Sequence, residues 1–145
     1  MSTDVLLVDD EESFVLTLAK RLTLRRFNVF TATNAGRAFA TLDEHRIDVV
    51  VLDVKMPDLD GIEATKTIKD QHPLVEVILL TGHANLEASL EGMKLGAFDY
   101  LLKPVNIDEL VYKIEDASRK KELQEEKIRR AEATAGNSNE ETSRG

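Results

Sequence analysis

The sequence predicts an α/β fold: a doubly wound, five-stranded parallel sheet with helices on both faces. Three observations carry that expectation. Apolar runs at 5–8, 49–52 and 77–80 have the composition of strands buried on both faces. Between such runs, apolar residues recur at helical spacing, as Phe14, Val15, Leu18 and Leu22 do. The pattern of strand then helix repeats five times along the chain.

The elements follow in order. Val5 to Val8 form the first strand, which stops at four acids, Asp9 to Glu12. A helix on Phe14, Val15, Leu18 and Leu22 comes next. The alternating segment 27–32 is the second strand. Asn34 can cap a helix carrying Ala35, Ala38, Phe39 and Leu42. The third strand, 49–52, ends at Asp53. Pro57, Asp58, Asp60 and Gly61 then signal a loop. Ile62, Ala64, Thr65 and Ile68 continue as a helix that ends before Pro73. The fourth strand, 77–80, runs into Thr81-Gly82. Leu86, Leu90, Met93 and Leu95 mark a helix that Gly96 can close in a left-handed conformation. The fifth strand, 98–102, ends at Lys103-Pro104. Asn106 with Glu109 three residues later opens a final helix through Ile107, Leu110, Val111 and Ile114.

The chain has 145 residues, no Cys and a formal net charge of −8. Without Cys there is no disulfide, thiolate metal site or Cys nucleophile, which fits a cytoplasmic protein. The longest aliphatic runs fall far short of the roughly 20 residues that span a bilayer, so no membrane segment is expected. No secretory signal opens the sequence. The acidity is uneven: residues 1–118 hold 21 acids and 12 bases, and residues 119–145 hold 6 and 7. An acidic body argues against direct nucleic-acid binding and suits divalent cations where its carboxylates cluster. The expected organisation is a domain over 1–118, a charged helical extension over 119–133 and a disordered tail over 134–145. Glu125 with Arg129, and Glu126 with Arg130, are spaced as helical ion pairs.

In an open parallel sheet, ligands bind beyond the carboxyl ends of the strands, where strand order reverses. Here those ends carry Asp9 and Asp10, Asp53, Thr81 and Lys103. With strands in the order 2-1-3-4-5 they converge. Three carboxylates favour a hard cation such as Mg2+. An Asp can accept a phosphoryl group as an acyl phosphate. A cation, a Lys and a hydroxyl can offset charge on the transferring oxygens. Taken singly, Asp10 could be a helix cap, Thr81 a turn residue, and Lys103 and Asp53 solvated charges. Their joint occurrence at four strand ends favours a site.

These residues resemble the receiver domain of bacterial two-component response regulators, over about residues 3–118. The matching text is Val5-Leu6-Leu7-Val8-Asp9-Asp10-Glu11, Val51-Leu52-Asp53-Val54-Lys55-Met56-Pro57 with Asp60-Gly61, Leu80-Thr81-Gly82, and Tyr100-Leu101-Leu102-Lys103-Pro104. The resemblance implies a flavodoxin-like sheet of order 2-1-3-4-5. It implies that Asp53 is the phosphoacceptor, served by a sensor histidine kinase or phosphotransfer protein. Asp9, Asp10, Asp53 and the backbone carbonyl of Lys55 would hold Mg2+, with Mn2+ able to substitute. Thr81 would be the switch hydroxyl, Lys103 its ion-pair partner and Tyr100 the aromatic switch. The bond before Pro104 would be cis. Lys55 and His83 fall where side chains tune the lifetime of the acyl phosphate.

The resemblance makes the chain a switch more than an enzyme, one that at most assists its own phosphorylation and dephosphorylation. A downstream effector protein would read the switch. A monomer is expected, with dimerisation on phosphorylation left open. No output domain is visible in about 27 residues after the match, so the sequence suits a single-domain regulator or a piece of a larger one. One alternative is a Mg2+-dependent aspartyl-phosphate phosphohydrolase, which would carry a second Asp where Lys55 stands. A flavin module would need a hydroxyl- and Gly-rich loop where this chain has four acids. A receiver-like interaction module that is never phosphorylated is the other alternative.

Overall fold

Strands β1 (Asp4–Val8), β2 (Asn28–Ala32), β3 (Val49–Asp53), β6 (Glu76–Thr81) and β7 (Asp99–Leu102) form one parallel sheet in the order β2-β1-β3-β6-β7. The computed structural model describes the backbone of residues 2–144 and the side chains of residues 2–135. Two short strands, β4 (Lys55–Met56) and β5 (Leu59–Asp60), pair antiparallel as a separate ribbon. They occupy the segment that the sequence marks only as a loop. Counting the sheet strands alone, the order is 2-1-3-4-5, as expected.

Alternate residues along each strand face opposite sides, and each side has its own core. Leu6, Val8, Val50, Leu52, Val77 and Leu79 pack with α2 (Ala35–Glu44), α3 (Gly61–Gln71) and α4 (Leu86–Lys94). Val5, Leu7, Val49, Val51, Ile78 and Leu80 pack with α1 (Glu12–Leu24) and α5 (Ile107–Arg144). The middle strands are therefore covered twice, which is why they read as continuous apolar runs.

Local chemistry sets the joints. Asn34 accepts from the Arg37 amide at 2.8 Å and caps α2. Asp58, from the β4–β5 turn, adds a second cap by accepting from the Ala35 amide at 3.0 Å. Asp60 caps α3, and Asn106 accepts from the Glu109 amide at 3.0 Å. Gly96 takes φ +109° after α4, the left-handed conformation expected there. The Lys103-Pro104 bond is cis. Asp10 does not cap α1: Glu11 holds the N-cap position, and among the described residues no side chain caps it.

The last helix runs on past Ser118 and is pinned as it does so. Lys121 is buried and donates to Asp48 Oδ1 at 2.8 Å and to Glu125 at 3.3 Å. Lys120 lies 3.4 Å from Glu76, whose side chain is fully buried at the start of β6. Arg46 reaches Glu125 at 2.8 Å. Of the two helical pairs read from spacing, Glu126–Arg130 forms at 2.6 Å. Glu125 turns instead to Lys121, one turn earlier on the same helix, and to Arg46. The tail expected over 134–145 falls, from residue 136, on side chains outside the described residues.

Candidate phosphoacceptor and metal site

The site lies beyond the carboxyl ends of β1, β3, β6 and β7. Asp9 directly follows β1 and its amide donates to Ala32 O at 3.2 Å, extending the ladder by one step. Its side chain is 3% exposed and accepts from two directions. The Glu11 amide donates to Oδ1 at 3.0 Å and Lys103 Nζ to Oδ2 at 2.9 Å. Asp53 ends β3 and lies in register with Leu80. The next residue, Val54, donates its amide to Leu80 O at 2.9 Å, and the Gly61 amide donates to Val54 O at 2.9 Å. The strand end is thus clamped from β6 and from the start of α3.

Gly61 is required by this clamp. A Cβ there would stand 2.7 Å from Val54 Cα and Val54 O, and 2.9 Å from Asp53 O. Only a residue without a side chain allows the start of α3 so close to the strand end.

Ligand oxygens of Asp9, Asp10 and Asp53 all lie within 4.8 Å of one another. Lys103 Nζ stands 3.6 Å from Asp53 Oδ2 as well as contacting Asp9. One ammonium thus serves two of the three gathered carboxylates, Asp9 and Asp53. Burial pushes the Asp53 carboxyl above its ordinary range, Lys103 pulls it back, and Asp9 and Asp10 push it further up. Burial works against the Lys103 ammonium, but the hydrogen bond to Asp9 and the charges of Asp53, Asp9 and Glu11 outweigh it, so its pKa is raised. The donor set is all oxygen, acidic and short of positive charge, which fits a hard divalent cation.

Thr81 ends β6, is 1% exposed and donates to Gly82 O at 3.1 Å. Its own carbonyl accepts from the Lys103 amide at 2.8 Å, so the two residues are fastened through the backbone. Tyr100 pairs with Leu79, and Leu102 with Thr81. Thr81 and Tyr100 therefore face the same side of the sheet on neighbouring strands. Tyr100 is half-buried against the α2–α4 side of the core. The side chains of Lys55 and His83 are exposed, while the Lys55 amide donates to Asp53 Oδ1 at 3.4 Å. Two contacts escaped the reading of the sequence. Glu11 serves Asp9 through its backbone, which no side-chain pattern marks. Phe14 lies under Lys103, with Nζ 4.7 Å from the ring centroid, and reads in sequence only as one more apolar position of α1.

A parallel sheet of this order, with three carboxylates, a Lys and a buried Thr gathered at its strand ends, is the architecture of receiver-type signalling domains. The chain belongs to the response regulator receiver domain family, whose model matches residues 5–115. It is 37% identical over 127 residues to the putative response regulator NtrX-like of Rickettsia felis, covering 86% of this chain and 27% of that protein. It is 38% identical over 113 residues to the DNA-binding transcriptional regulator NtrC of Salmonella typhimurium, covering 78% of this chain and 24% of the relative. The chain thus spans about a quarter of the length of these relatives. Among solved structures, a receiver domain protein from Clostridium thermocellum aligns with a TM-score of 0.81 at 35% identity, covering 84% of this chain and 98% of that one. NtrX from Brucella abortus aligns with a TM-score of 0.82 at 32% identity, covering 87% of this chain and 29% of that one. Membership places the chain in two-component signalling. Receivers of this kind are generally Mg2+-dependent switches that work with histidine kinases and output domains.

Proposed function

We propose that this chain accepts a phosphoryl group on Asp53 from the phosphohistidine of a sensor kinase or phosphotransfer protein and so switches a surface read by a downstream effector. The observation that carries the reading is the placement of Asp53 within one pocket with Asp9, Asp10 and Lys103. A carboxylate oxygen of Asp53 attacks phosphorus in line, the bond to the donor nitrogen breaks, and an acyl phosphate forms. The Lys55 amide, which donates to Asp53 Oδ1 at 3.4 Å, helps to orient the attacking carboxylate. Asp9, Asp10, Asp53 and the Lys55 carbonyl would hold Mg2+ (or Mn2+), which when bound supplies charge neutralisation. Lys103 offsets charge on the incoming phosphoryl oxygens. Thr81 exchanges its bond to Gly82 O for one to the phosphoryl group. Tyr100, on the same face, repacks as Thr81 moves, which shifts an existing equilibrium between two states. Lys55 and His83, exposed at the rim, tune the lifetime of the acyl phosphate.

On this reading the chain is a switch and not a turnover enzyme, it acts in the cytoplasm, and it binds proteins, not nucleic acid. Among the described residues no helix is long and apolar enough to cross a membrane. The deciding experiment is intact-mass analysis after incubation with acetyl phosphate and Mg2+. A single phosphate adduct on the wild-type chain, absent from Asp53→Asn, is expected. No adduct under conditions that label another receiver removes the reading, and an equal adduct on Asp53→Asn removes the acceptor.

A further inference from the structure

We propose that Phe14 is a positioning residue for Lys103, its ring face holding the ammonium at the carboxylate pocket; this role rests on the phosphoacceptor reading above. Phe14 lies in the first turn of α1 and is half-buried against the α1–α5 side of the core. Lys103 Nζ lies over its ring, 4.7 Å from the centroid, while the same atom is 2.9 Å from Asp9 and 3.6 Å from Asp53. The Lys103 side chain keeps 27% of its exposure, so water competes for the ammonium. A lysine stem is flexible and its head strongly hydrated. An aromatic face attracts the cation electrostatically and shields that side from water.

The same helix turn also fixes the partner of Lys103. The Glu11 amide donates to Asp9 Oδ1, and the Val15 amide donates to Glu11 O at 3.0 Å. Entry into α1 therefore sets both the carboxylate and the ring between which the ammonium is held. Packing alone asks only for apolar volume, which Leu supplies. Holding a cation asks for a ring face, which Leu lacks and Tyr keeps. That difference separates a positioning role from a structural one.

The test uses the full chain with Phe14→Leu and Phe14→Tyr. In proton–carbon spectra taken without metal, the Lys103 ε-protons are expected upfield from ring current in wild type and Phe14→Tyr, and at ordinary positions in Phe14→Leu. Phosphate uptake from acetyl phosphate with Mg2+, followed by intact mass, is expected to slow roughly fivefold in Phe14→Leu and to stay within about twofold of wild type in Phe14→Tyr. Should Phe14→Leu fail to fold, Phe14→Met takes its place. Unshifted ε-protons in wild type, uptake by Phe14→Leu at the wild-type rate, or a Phe14→Tyr chain as slow as Phe14→Leu would each overturn the role. A wild-type chain that takes up no phosphate overturns the phosphoacceptor reading itself, a result distinct from any of these.

Discussion

Lys103 donates to Asp9 at 2.9 Å across 94 positions of sequence. The bond joins the loop after the last sheet strand to the end of the first, and it gives an almost buried carboxylate its cation. Replacing Lys103 by Met leaves Asp9 facing two other acids with no counterion. We expect Lys103→Met to lose about 1–3 kcal/mol of stability without metal. Millimolar Mg2+ should raise the melting temperature of wild type by binding the native state, and should recover part of the loss in the variant. Chemical unfolding with and without Mg2+ checks both. Equal stability of the two chains in metal-free buffer would sink the account.

Asp53→Asn should be more stable than wild type at neutral pH. The sign follows from the raised pKa. Between the ordinary carboxylate value of 3.8 and the higher folded value, the folded state binds more protons than the unfolded state. Ionisation of Asp53 therefore costs stability as pH rises through that window. Removing the charge removes that cost. In metal-free buffer a gain in melting temperature at pH 7 is expected, vanishing below about pH 3.8. A gain that persists unchanged at pH 3 would point to another cause.

Gly61→Ala should cost about 1–3 kcal/mol, because its Cβ meets backbone and no flexible side chain can yield. The same clash displaces the Val54 clamp on Asp53, so phosphate uptake should also slow. Urea unfolding and intact mass read the two effects. An Ala variant with wild-type stability and uptake would show that the clamp is unnecessary.

The extension beyond Ser118 should contribute to the stability of the body. Lys121 is buried between Asp48 and Glu125, and Lys120 lies 3.4 Å and Lys69 3.6 Å from the buried Glu76. Among the described residues Glu76 Oε1 has no hydrogen-bond partner. Lys121→Met is expected to lose about 1–2 kcal/mol, and truncation after Ser118 to lose more. Melting curves that superimpose on wild type for both chains would return the extension to a solvated appendage.

Lys55→Ala and His83→Ala should each change the first-order loss of phosphate from Asp53 by about threefold or more, roughly 0.6 kcal/mol in the barrier. Decay of the phosphate adduct, followed by intact mass, measures it. Unchanged decay in both variants would leave these residues without a part in phosphoryl lifetime.

Periodicity alone was enough to specify the layers of this protein. Strands covered on both faces must be apolar at every position, so 5–8, 49–52 and 77–80 announced themselves, and the helices between them followed from spacing. The acids, the Thr and the Lys at the strand ends were legible for the same reason: a polar residue closing an apolar run marks where the sheet stops. Other features needed the folded chain. That Phe14 lies under Lys103, that Asp58 caps a helix 23 residues earlier, and that Lys121 is buried on Asp48 are meetings of residues far apart in sequence. No local pattern encodes them, because distance in space is set by how the strands order and the helices pack. Sequence by itself determined which acids, hydroxyl and ammonium stand at the strand ends. Tertiary structure decided their distances and burial, and hence which carboxylate is nearly sealed, which is raised in pKa and which cation serves both.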